Sequence, residues 1–180
     1  MNIEALIDRE GGYVDHPADK GGPTTWGITE ATARASGYAG RMQDLPRDYA
    51  RAVYQRQYIT APGFDKVATL APRVAEEMFD TGVNMGVSVP GPWLQRLLNV
   101  LREPIDGKPL YAPLAADGAI GQATLAALAA FLKYRPKDGE TVLVRGLDCL
   151  QGARYVELAE TRPANRAFIY GWLANRVGTV

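Results

Sequence analysis

Three residues near the N-terminus have the types and the spacing for acid–base chemistry: Glu10, Asp19 and Thr25. Glu10 lies seven residues after Ile3, where the helical pattern calls for an apolar side chain. A carboxylate there would be partly desolvated at the C-terminal end of a helix dipole, and both effects raise its pKa. A carboxylic acid that stays protonated near neutral pH can donate to a leaving oxygen, as glycosidic bond cleavage requires.

The chain has to turn back between Glu10 and Thr25 if these groups are to meet. Asp19 follows Glu10 by nine residues and precedes Thr25 by six, and the Gly-Gly-Pro run at 21–23 suits a tight turn. We expect a return strand over residues 24–28 to carry a carboxylate and a hydroxyl toward the end of the first helix. One group would then protonate a sugar oxygen while another positions water.

Each of these residues also has a structural explanation. Glu10 could fray into solvent at the end of a short helix, and Asp19 could cap the turn. Thr24 and Thr25 could be ordinary strand threonines. Both explanations stay open, because only the combination of these residues points to chemistry.

Helical periodicity dominates the chain and predicts a mainly α-helical protein with one small β-ribbon beside the helix that carries Glu10. Asn2 and Thr29 are suited to cap helices. Only residues 13–14 and 24–28 have an extended pattern. The predicted helices cover residues 3–10, 30 to about 37, 46 to about 59, 72–84, 94–101, 122–133, 141–160 and 163–177.

Length and charge limit the classes of protein. A chain of 180 residues suits one domain, or two small halves that share one core. Two prolines and a glycine at 87–92 mark a soft boundary, which divides the chain into parts 1–90 and 91–180. The formal net charge is zero and acids and bases are mixed, which argues against a basic face for nucleic acid.

The sequence also argues against metals and membrane spans. One histidine, His16, and one cysteine, Cys149, are too few for a zinc site, and the acids lack the spacing of a calcium loop. We therefore expect no metal and no cofactor, with Cys149 as a small core residue. The N-terminus lacks a secretory pattern and no apolar run approaches the ~18 residues of a membrane span, so we expect synthesis in a cytoplasm.

Polar and aromatic side chains elsewhere have the spacing to contact a sugar. Asp80 and Asn84 are four residues apart on one predicted helix, which suits hydrogen bonds to hydroxyl and N-acetyl groups, or simply a solvated face. Tyr54 and Tyr58 have the same spacing, and aromatic rings at a cleft pack against sugar faces, although core packing explains one of them equally well. Thr24 is a further candidate for substrate contact.

The stretch from residue 10 to residue 29 resembles the signature of glycoside hydrolase family 108, in which E-G-G-Y is followed by a glycine-rich turn and a strand ending in G-I-T. The matching segments are EGGY at 10–13, GG at 21–22 and TWGIT at 25–29. FDTGVNMG at 79–86 is similar to a second block of the family. Other blocks resemble the peptidoglycan-binding element usually attached to it: LQRLLN at 94–99, DGAIGQAT at 117–124 and FIYGWLANR at 168–176.

The resemblance implies a lysozyme-like fold and an N-acetylmuramidase activity, the hydrolysis of the β-1,4 bond between N-acetylmuramic acid and N-acetylglucosamine in peptidoglycan. Glu10 would be the general acid, and Tyr13 belongs to the same motif as a candidate for substrate contact. Asp19 and Thr25 match the pattern of small phage-type lysozymes. They are candidates to position water or to stabilise the transition state.

The resemblance also implies a division of labour along the chain. Residues 1–90 would be the catalytic part and residues 91–180 the peptidoglycan-binding part, packed as one compact unit. In the second part, Asp117 and Thr124 are candidates for contact with peptidoglycan, although DGAIGQAT equally suits a turn that enters a helix.

Such an enzyme would be the endolysin of a phage or prophage, with bacteriolytic and antimicrobial action. We expect a monomer that is made in the host cytoplasm without a signal peptide and released by a holin to degrade the wall from the periplasm. Alternatives stay open: a bacterial muramidase that assists secretion, a lytic transglycosylase that forms an anhydro sugar, and a non-catalytic wall-binding protein. An exposed Glu10 would favour the last of these.

Overall fold

The computed structural model describes three stretches of the chain: residues 1–15, 22–103 and 107–178. These stretches form two compact units, Met1–Ile59 and Thr60–Val180. They are mainly α-helical with one two-stranded antiparallel ribbon, which confirms the predicted fold class. The compact units divide at Ile59, whereas the proline–glycine run suggested a division at residue 90; that division stays a prediction.

The first unit contains three helices and the ribbon in the part that the structure describes. The predicted caps are confirmed, since Asn2 Oδ1 accepts from the Ala5 amide at 3.0 Å and Thr29 Oγ1 accepts from the Thr32 amide at 3.2 Å. The elements are α1 (Ile3–Glu10), β1 (Thr24–Thr25), β2 (Ile28–Thr29), α2 (Glu30–Ala35), a 3₁₀ turn (Met42–Asp44) and α3 (Arg47–Tyr54). The helix predicted to reach about residue 59 continues past α3 as a π turn, Gln55–Thr60.

Helix α1 packs on α3 through a buried apolar face. Across the edge of this contact, Glu4 accepts from Arg47 at 2.9 Å and also from Arg51, and Asp8 accepts from Arg47. These ion pairs are partly exposed, and such pairs contribute little to stability, so the apolar face is what holds α1 in place. The buried residues of the two helices are Ile3, Leu6, Ile7, Ala50, Val53 and Tyr54.

The single return strand predicted over residues 24–28 is wrong. The chain reverses inside that segment, so that β1 and β2 form a hairpin in which Thr25 pairs with Ile28. Its two turn residues, Trp26 and Gly27, have φ angles of 54° and 75°. Positive φ at both central positions is the tight hairpin turn whose twist matches that of the strands.

The extended pattern predicted at residues 13–14 is confirmed at Val14. This residue forms an isolated bridge with Thr24, in which each amide donates to the other's carbonyl at 2.8 Å. The ribbon therefore has a third short segment along one edge, and that segment follows directly from the end of α1.

The second unit contains six helices in its described residues, and none of the helices of the described chain is long and apolar enough to cross a membrane. The predicted helices between residues 72 and 160 are present with shifts at their ends, and the first short helix was not predicted. Their bounds are α4 (Phe64–Ala68), α5 (Pro72–Met85), α6 (Pro90–Leu101), α7 (Gln122–Tyr134), α8 (Gly139–Thr161) and α9 (Ile169–Arg176).

The last predicted helix, residues 163–177, is broken. A 3₁₀ turn, Pro163–Ala167, precedes α9. Within this turn the Asn165 amide donates to the Leu158 carbonyl at 3.1 Å, and Arg166 donates to the Ala159 carbonyl at 3.3 Å. These side chains fold back on carbonyls in the last turn of α8, and the Leu158 carbonyl also accepts from the Arg162 amide at 3.1 Å, so the chain turns tightly before it forms a helix again.

Cys149 is exposed, so the expectation that it is a core residue is wrong. Helix α8 instead directs Leu147, Asp148 and Gln151 into the unit. The apolar pattern of this helix did not show which of the positions around Cys149 faces solvent.

A buried polar chain links α5 to α8. Gln151 donates to Thr81 Oγ1 at 3.1 Å, and the Thr81 hydroxyl donates to Glu77 Oε1 at 3.4 Å. Glu77 is fully buried, and its Oε2 has no hydrogen-bond partner among the described residues. Burial raises the pKa of Glu77 to about 8, with smaller contributions from the negative charges of Asp148 and Asp80.

The raised pKa of Glu77 predicts that stability falls as the pH rises from about 5 to about 8. In this window the folded state binds the proton that the unfolded carboxylate has released, so the free energy of unfolding decreases with pH. Glu77→Gln keeps the shape without a titrating group, and its melting temperature should vary less between pH 5 and pH 8. Glu160→Gln, on an exposed part of α8, is the control and should keep the wild-type dependence. Parallel curves for wild type and Glu77→Gln would contradict the prediction.

Candidate functional site

Glu10 is the last residue of α1, and its side chain is exposed. The helix ends because Gly11 has a φ of 78°, with its amide donating to the Ile7 carbonyl at 3.3 Å. The expected partial desolvation of Glu10 is wrong, because Gly11 and Gly12 carry no side chains that could cover it. No described residue forms a hydrogen bond or an ion pair with the Glu10 carboxylate, which leaves it available to a ligand.

The turn of the hairpin lies directly against the stem of Glu10. A Cβ added at Gly27 would lie 2.8 Å from Cγ and 2.9 Å from Cβ of Glu10, and it would also overlap the hydroxyl of Tyr54. Both the positive φ and this close approach require glycine. Gly27 is therefore the residue through which the ribbon contacts the helix that carries the carboxylate.

Trp26, the other turn residue, has a backbone conformation that is strained for a bulky side chain. Two contacts hold it there. Its Nε1 donates to the Leu45 carbonyl at 3.1 Å, and the guanidinium of Arg47 lies 5.6 Å from the centroid of its ring. Strain of this kind is concentrated at functional sites, and here it lies one residue from the contact with Glu10.

Tyr54 is buried on α3 and holds the hairpin turn through a hydrogen bond. Its hydroxyl donates to the Trp26 carbonyl at 3.0 Å. Burial raises the pKa of Tyr54 to about 12, and the charge of Glu10 and the neighbouring Tyr58 add to the effect. The hydroxyl is protonated at neutral pH, as an ordinary phenol is, and the raised pKa keeps it donating to higher pH. Of the two predicted sugar-contact tyrosines, Tyr54 has a core position.

Tyr58 and Tyr13 present more of their surface. The Tyr58 ring is half-buried, with its centroid 5.7 Å from that of Tyr54. Tyr13 is exposed, and its hydroxyl donates to Asp15 Oδ2 at 3.1 Å. Both rings have faces on which a sugar could pack. Contact with substrate stays a prediction for each of them.

The two threonines of β1 direct their hydroxyl groups to the backbone. Thr25 is buried, and its hydroxyl donates to the Met42 carbonyl at 2.6 Å. Thr24 is half-buried and donates to the Gly22 carbonyl at 3.3 Å. These bonds favour the structural explanation of both residues, while their roles in catalysis and substrate contact stay predictions. Asp19 lies outside the residues that the structure describes.

Asp80 and Asn84, on α5 of the second unit, are tied to each other and to other helices. The Asn84 amide donates to Asp80 Oδ2 at 3.0 Å, and Arg176 of α9 donates to Asp80 Oδ1 at 2.9 Å. Gln151 of α8 also donates to Asp80 Oδ2, at 3.3 Å. Asp80 therefore joins three helices. Asn84 is exposed, and sugar contact by either residue stays a prediction.

The DGAIGQAT segment is organised by Gln95, a buried residue of α6 that sequence reasoning missed. The Gln95 amide donates to Asp117 Oδ1 at 3.0 Å and to Thr124 Oγ1 at 3.2 Å, and its carbonyl accepts from the Gly118 amide at 2.7 Å. This network supports the structural explanation of Asp117 and Thr124, whose contact with glycan stays a prediction. The available signal was a glutamine within the leucine stripe of a helix.

Comparison with known proteins agrees with the two-part pattern of motifs. Residues 3–86 match the family model of glycosyl hydrolase 108, and residues 89–177 match a predicted peptidoglycan domain. The structure of SagA from Brucella abortus is similar over 98% of this chain and 93% of that chain, with a TM-score of 0.51 and 22% sequence identity. At this identity the likeness shows the fold alone. Comparison with curated proteins gave no match.

The contact between the turn and Glu10 predicts the effect of a single methyl group. Gly27→Ala should lower the free energy of unfolding by about 2 kcal/mol more than Gly37→Ala, because overpacking is added to the strain of a positive φ. Gly37 is the matched control, since its φ is 92° and an added Cβ would meet nothing within 4 Å. Urea denaturation measures both variants. Equal losses would mean that the turn can move away from Glu10 at no cost.

Proposed function

The chain carries a glycosyl hydrolase family 108 domain followed by a predicted peptidoglycan domain, and from this premise we propose that it is an N-acetylmuramidase. The bond cleaved is the β-1,4 linkage between N-acetylmuramic acid and N-acetylglucosamine. The family supports glycosidic hydrolysis, and the second domain supports the wall polymer as its substrate.

The observation that carries the proposal is the position of Glu10. Its carboxyl group has no partner among the described residues and stands on a stem held by the backbone of Gly27. In the reaction Glu10 donates its proton to the glycosidic oxygen as the C1–O bond breaks, and water attacks C1 while the proton it loses passes to a second group that acts as the base. A second group must orient that water, and Asp19 is the candidate.

The neighbouring aromatic residues would define where the sugar lies. Tyr13 and Tyr58 offer ring faces and hydroxyl groups within the same unit as Glu10. Tyr54 would act indirectly, because its hydroxyl holds the turn that contacts the Glu10 stem. In this proposal Tyr54 is a positioning residue.

For the biological role we propose an endolysin of phage or prophage origin with bacteriolytic and antimicrobial action. It would be a monomer, made in the host cytoplasm, that reaches the periplasm when a holin opens the membrane. The peptidoglycan domain supports the wall as the place of action. A bacterial muramidase that assists secretion through the wall would use the same chemistry.

The exposure of Glu10 favours a second candidate function, a wall-binding protein without catalysis. A general acid gains from a desolvated environment, and the described residues do not provide one. Such a protein would bind peptidoglycan through the second domain and release no soluble fragments from it. Digestion of purified peptidoglycan separates the two functions.

Glu10→Gln should reduce the release of soluble fragments from purified peptidoglycan by about two to four orders of magnitude, since it removes the general acid but not its shape. Glu30→Gln is the control: it removes a carboxylate from a partly exposed ion pair in the same unit and should stay close to wild type. Products are reduced with borohydride and identified by mass spectrometry. Reducible muramic ends support hydrolysis, and anhydro ends would make the protein a lytic transglycosylase. Wild-type turnover by Glu10→Gln would sink the assignment.

Asp19→Asn should reduce hydrolysis by a smaller factor, about one to two orders of magnitude, because water can still attack without an oriented partner. The control is Asp44→Asn, which removes an exposed carboxylate from the same unit. Initial rates on the same peptidoglycan compare the two variants. If both lose the same activity, the effect comes from the lost charge alone, and Asp19 has no specific role.

A further inference from the structure

A cavity of about 400 Å³ lies in the second unit beside α6 and α8. Its volume falls within the range of small-ligand sites. All of its lining residues lie between Ser88 and Glu157, within the second unit. No residue on its wall belongs to the motifs that point to the catalytic carboxylate.

One wall of the cavity is aromatic. Trp93 of α6 is half-buried, so part of its indole faces the cavity, and Leu150 and Ala153 of α8 extend the apolar surface. A half-buried indole can pack against a flat apolar face of a ligand while its N–H group remains accessible to water. The cavity can therefore hold an amphipathic group.

The polar part of the wall carries an excess of positive charge. Arg154 forms an ion pair with Glu157 at 2.7 Å, which offsets one of the cavity's two guanidinium groups. Arg96 is exposed and has no ion pair with any described residue. The charged side chains of the cavity wall therefore sum to one positive charge, which lies beside the indole of Trp93. A planar guanidinium donates two parallel hydrogen bonds to a carboxylate, so the matching ligand has one carboxylate next to an apolar or sugar face.

Two other cavities of the same unit lack this combination. In the one beside Asp117, the polar groups of Gln95 and Thr124 already bond each other. The one beside Arg73 carries Arg135 and Lys137, which have no ion pair with any described residue, but no aromatic side chain lines it. The cavity beside Trp93 thus has both an unpaired cation and an aromatic wall.

We propose that this cavity, which we name the Trp93–Arg96 cavity, binds a carboxylate of the peptide stem of peptidoglycan. Arg96 pairs with the carboxylate, Arg154 supports it, and Trp93 packs against the adjoining apolar face of the polymer. The inference rests on the proposed function in so far as that function names the wall polymer as the substrate. It adds that the second unit recognises the peptide, whereas Glu10 acts on the glycan.

A phosphate polymer of the wall is the competing anion. Glu157 stands in the same wall as the two arginines, and its negative charge works against a ligand that repeats phosphate charges along its length. A single carboxylate needs only the one excess positive charge. The balance of charge therefore favours the peptide stem.

The test compares binding to two polymers from one bacterium: intact sacculi, and sacculi whose peptides have been removed with an amidase and whose freed lactyl carboxylates have then been converted to amides with a carbodiimide and ammonia. The chain of both units carries Glu10→Gln so that digestion does not interfere, and bound protein is measured by co-sedimentation. We expect binding to intact sacculi to be about tenfold tighter than to the stripped glycan. Arg96→Gln should remove most of that difference, and Trp93→Leu should weaken binding to intact sacculi as well.

Arg145→Gln is the matched control, because Arg145 is an exposed residue of α8 outside the cavity and loses the same charge. It should bind intact sacculi within about twofold of the parent chain. Thermal melting checks that every variant is folded. Equal binding to intact and stripped polymer, or equal losses for Arg96→Gln and Arg145→Gln, would overturn the inference. So would a loss of binding when hydrofluoric acid removes phosphate polymers and leaves the peptides in place.

Failure of this inference can be told apart from failure of the proposed function. Reducible sugar ends released by the chain with Glu10 intact, together with no preference for peptide-bearing wall, would overturn only the cavity assignment. Binding that depends on Arg96, together with no released ends, would overturn only the muramidase.

Discussion

The close contact between the hairpin turn and the stem of Glu10 is the constraint on which the first unit depends. Gly27 lies where any side chain would meet both Glu10 and Tyr54. The Tyr54 hydroxyl binds the carbonyl of Trp26, so the turn is held from the side of α3 as well. The end of one helix, the ribbon and a second helix therefore meet at one point. This contact fixes the position of the Cβ and Cγ atoms that carry the Glu10 carboxylate.

Some polar side chains of the second unit form hydrogen bonds within the fold, and others have no partner in the described part of the chain and could bind a ligand. Gln95 binds the loop that carries Asp117, so a segment that resembles a recognition motif is built as a fixed turn. Asp80 likewise accepts hydrogen bonds from residues on three helices. Arg96 has no such partner among the residues that the structure describes. Because a buried polar group needs its hydrogen bonds for the fold, the groups without partners are the better candidates for ligand contact.

Features that depend on residues close in the chain were predicted correctly, and features that depend on distant contacts were missed. Caps such as Asn2 depend on residues three positions away, and they were predicted correctly. The hairpin inside residues 24–28 was missed because a tryptophan at the first turn position has no local preference for positive φ. Helical periodicity placed Glu10 on the apolar face of α1, but it carries no information about what covers that position. The two glycines that follow leave it exposed.

The sequence by itself determined the helical class, the helix caps, the family resemblance of its N-terminal part and the candidacy of Glu10, because these depend on periodicity and on motifs that are short in the chain. Only the tertiary structure decided the partners. It joined Thr25 to a carbonyl 17 residues away and Gln95 to a carboxylate 22 residues away, and it left Arg96 without an ion pair among the described residues. Such partners are chosen by the packing of whole elements, and packing brings together residues whose separation along the chain has no preferred value.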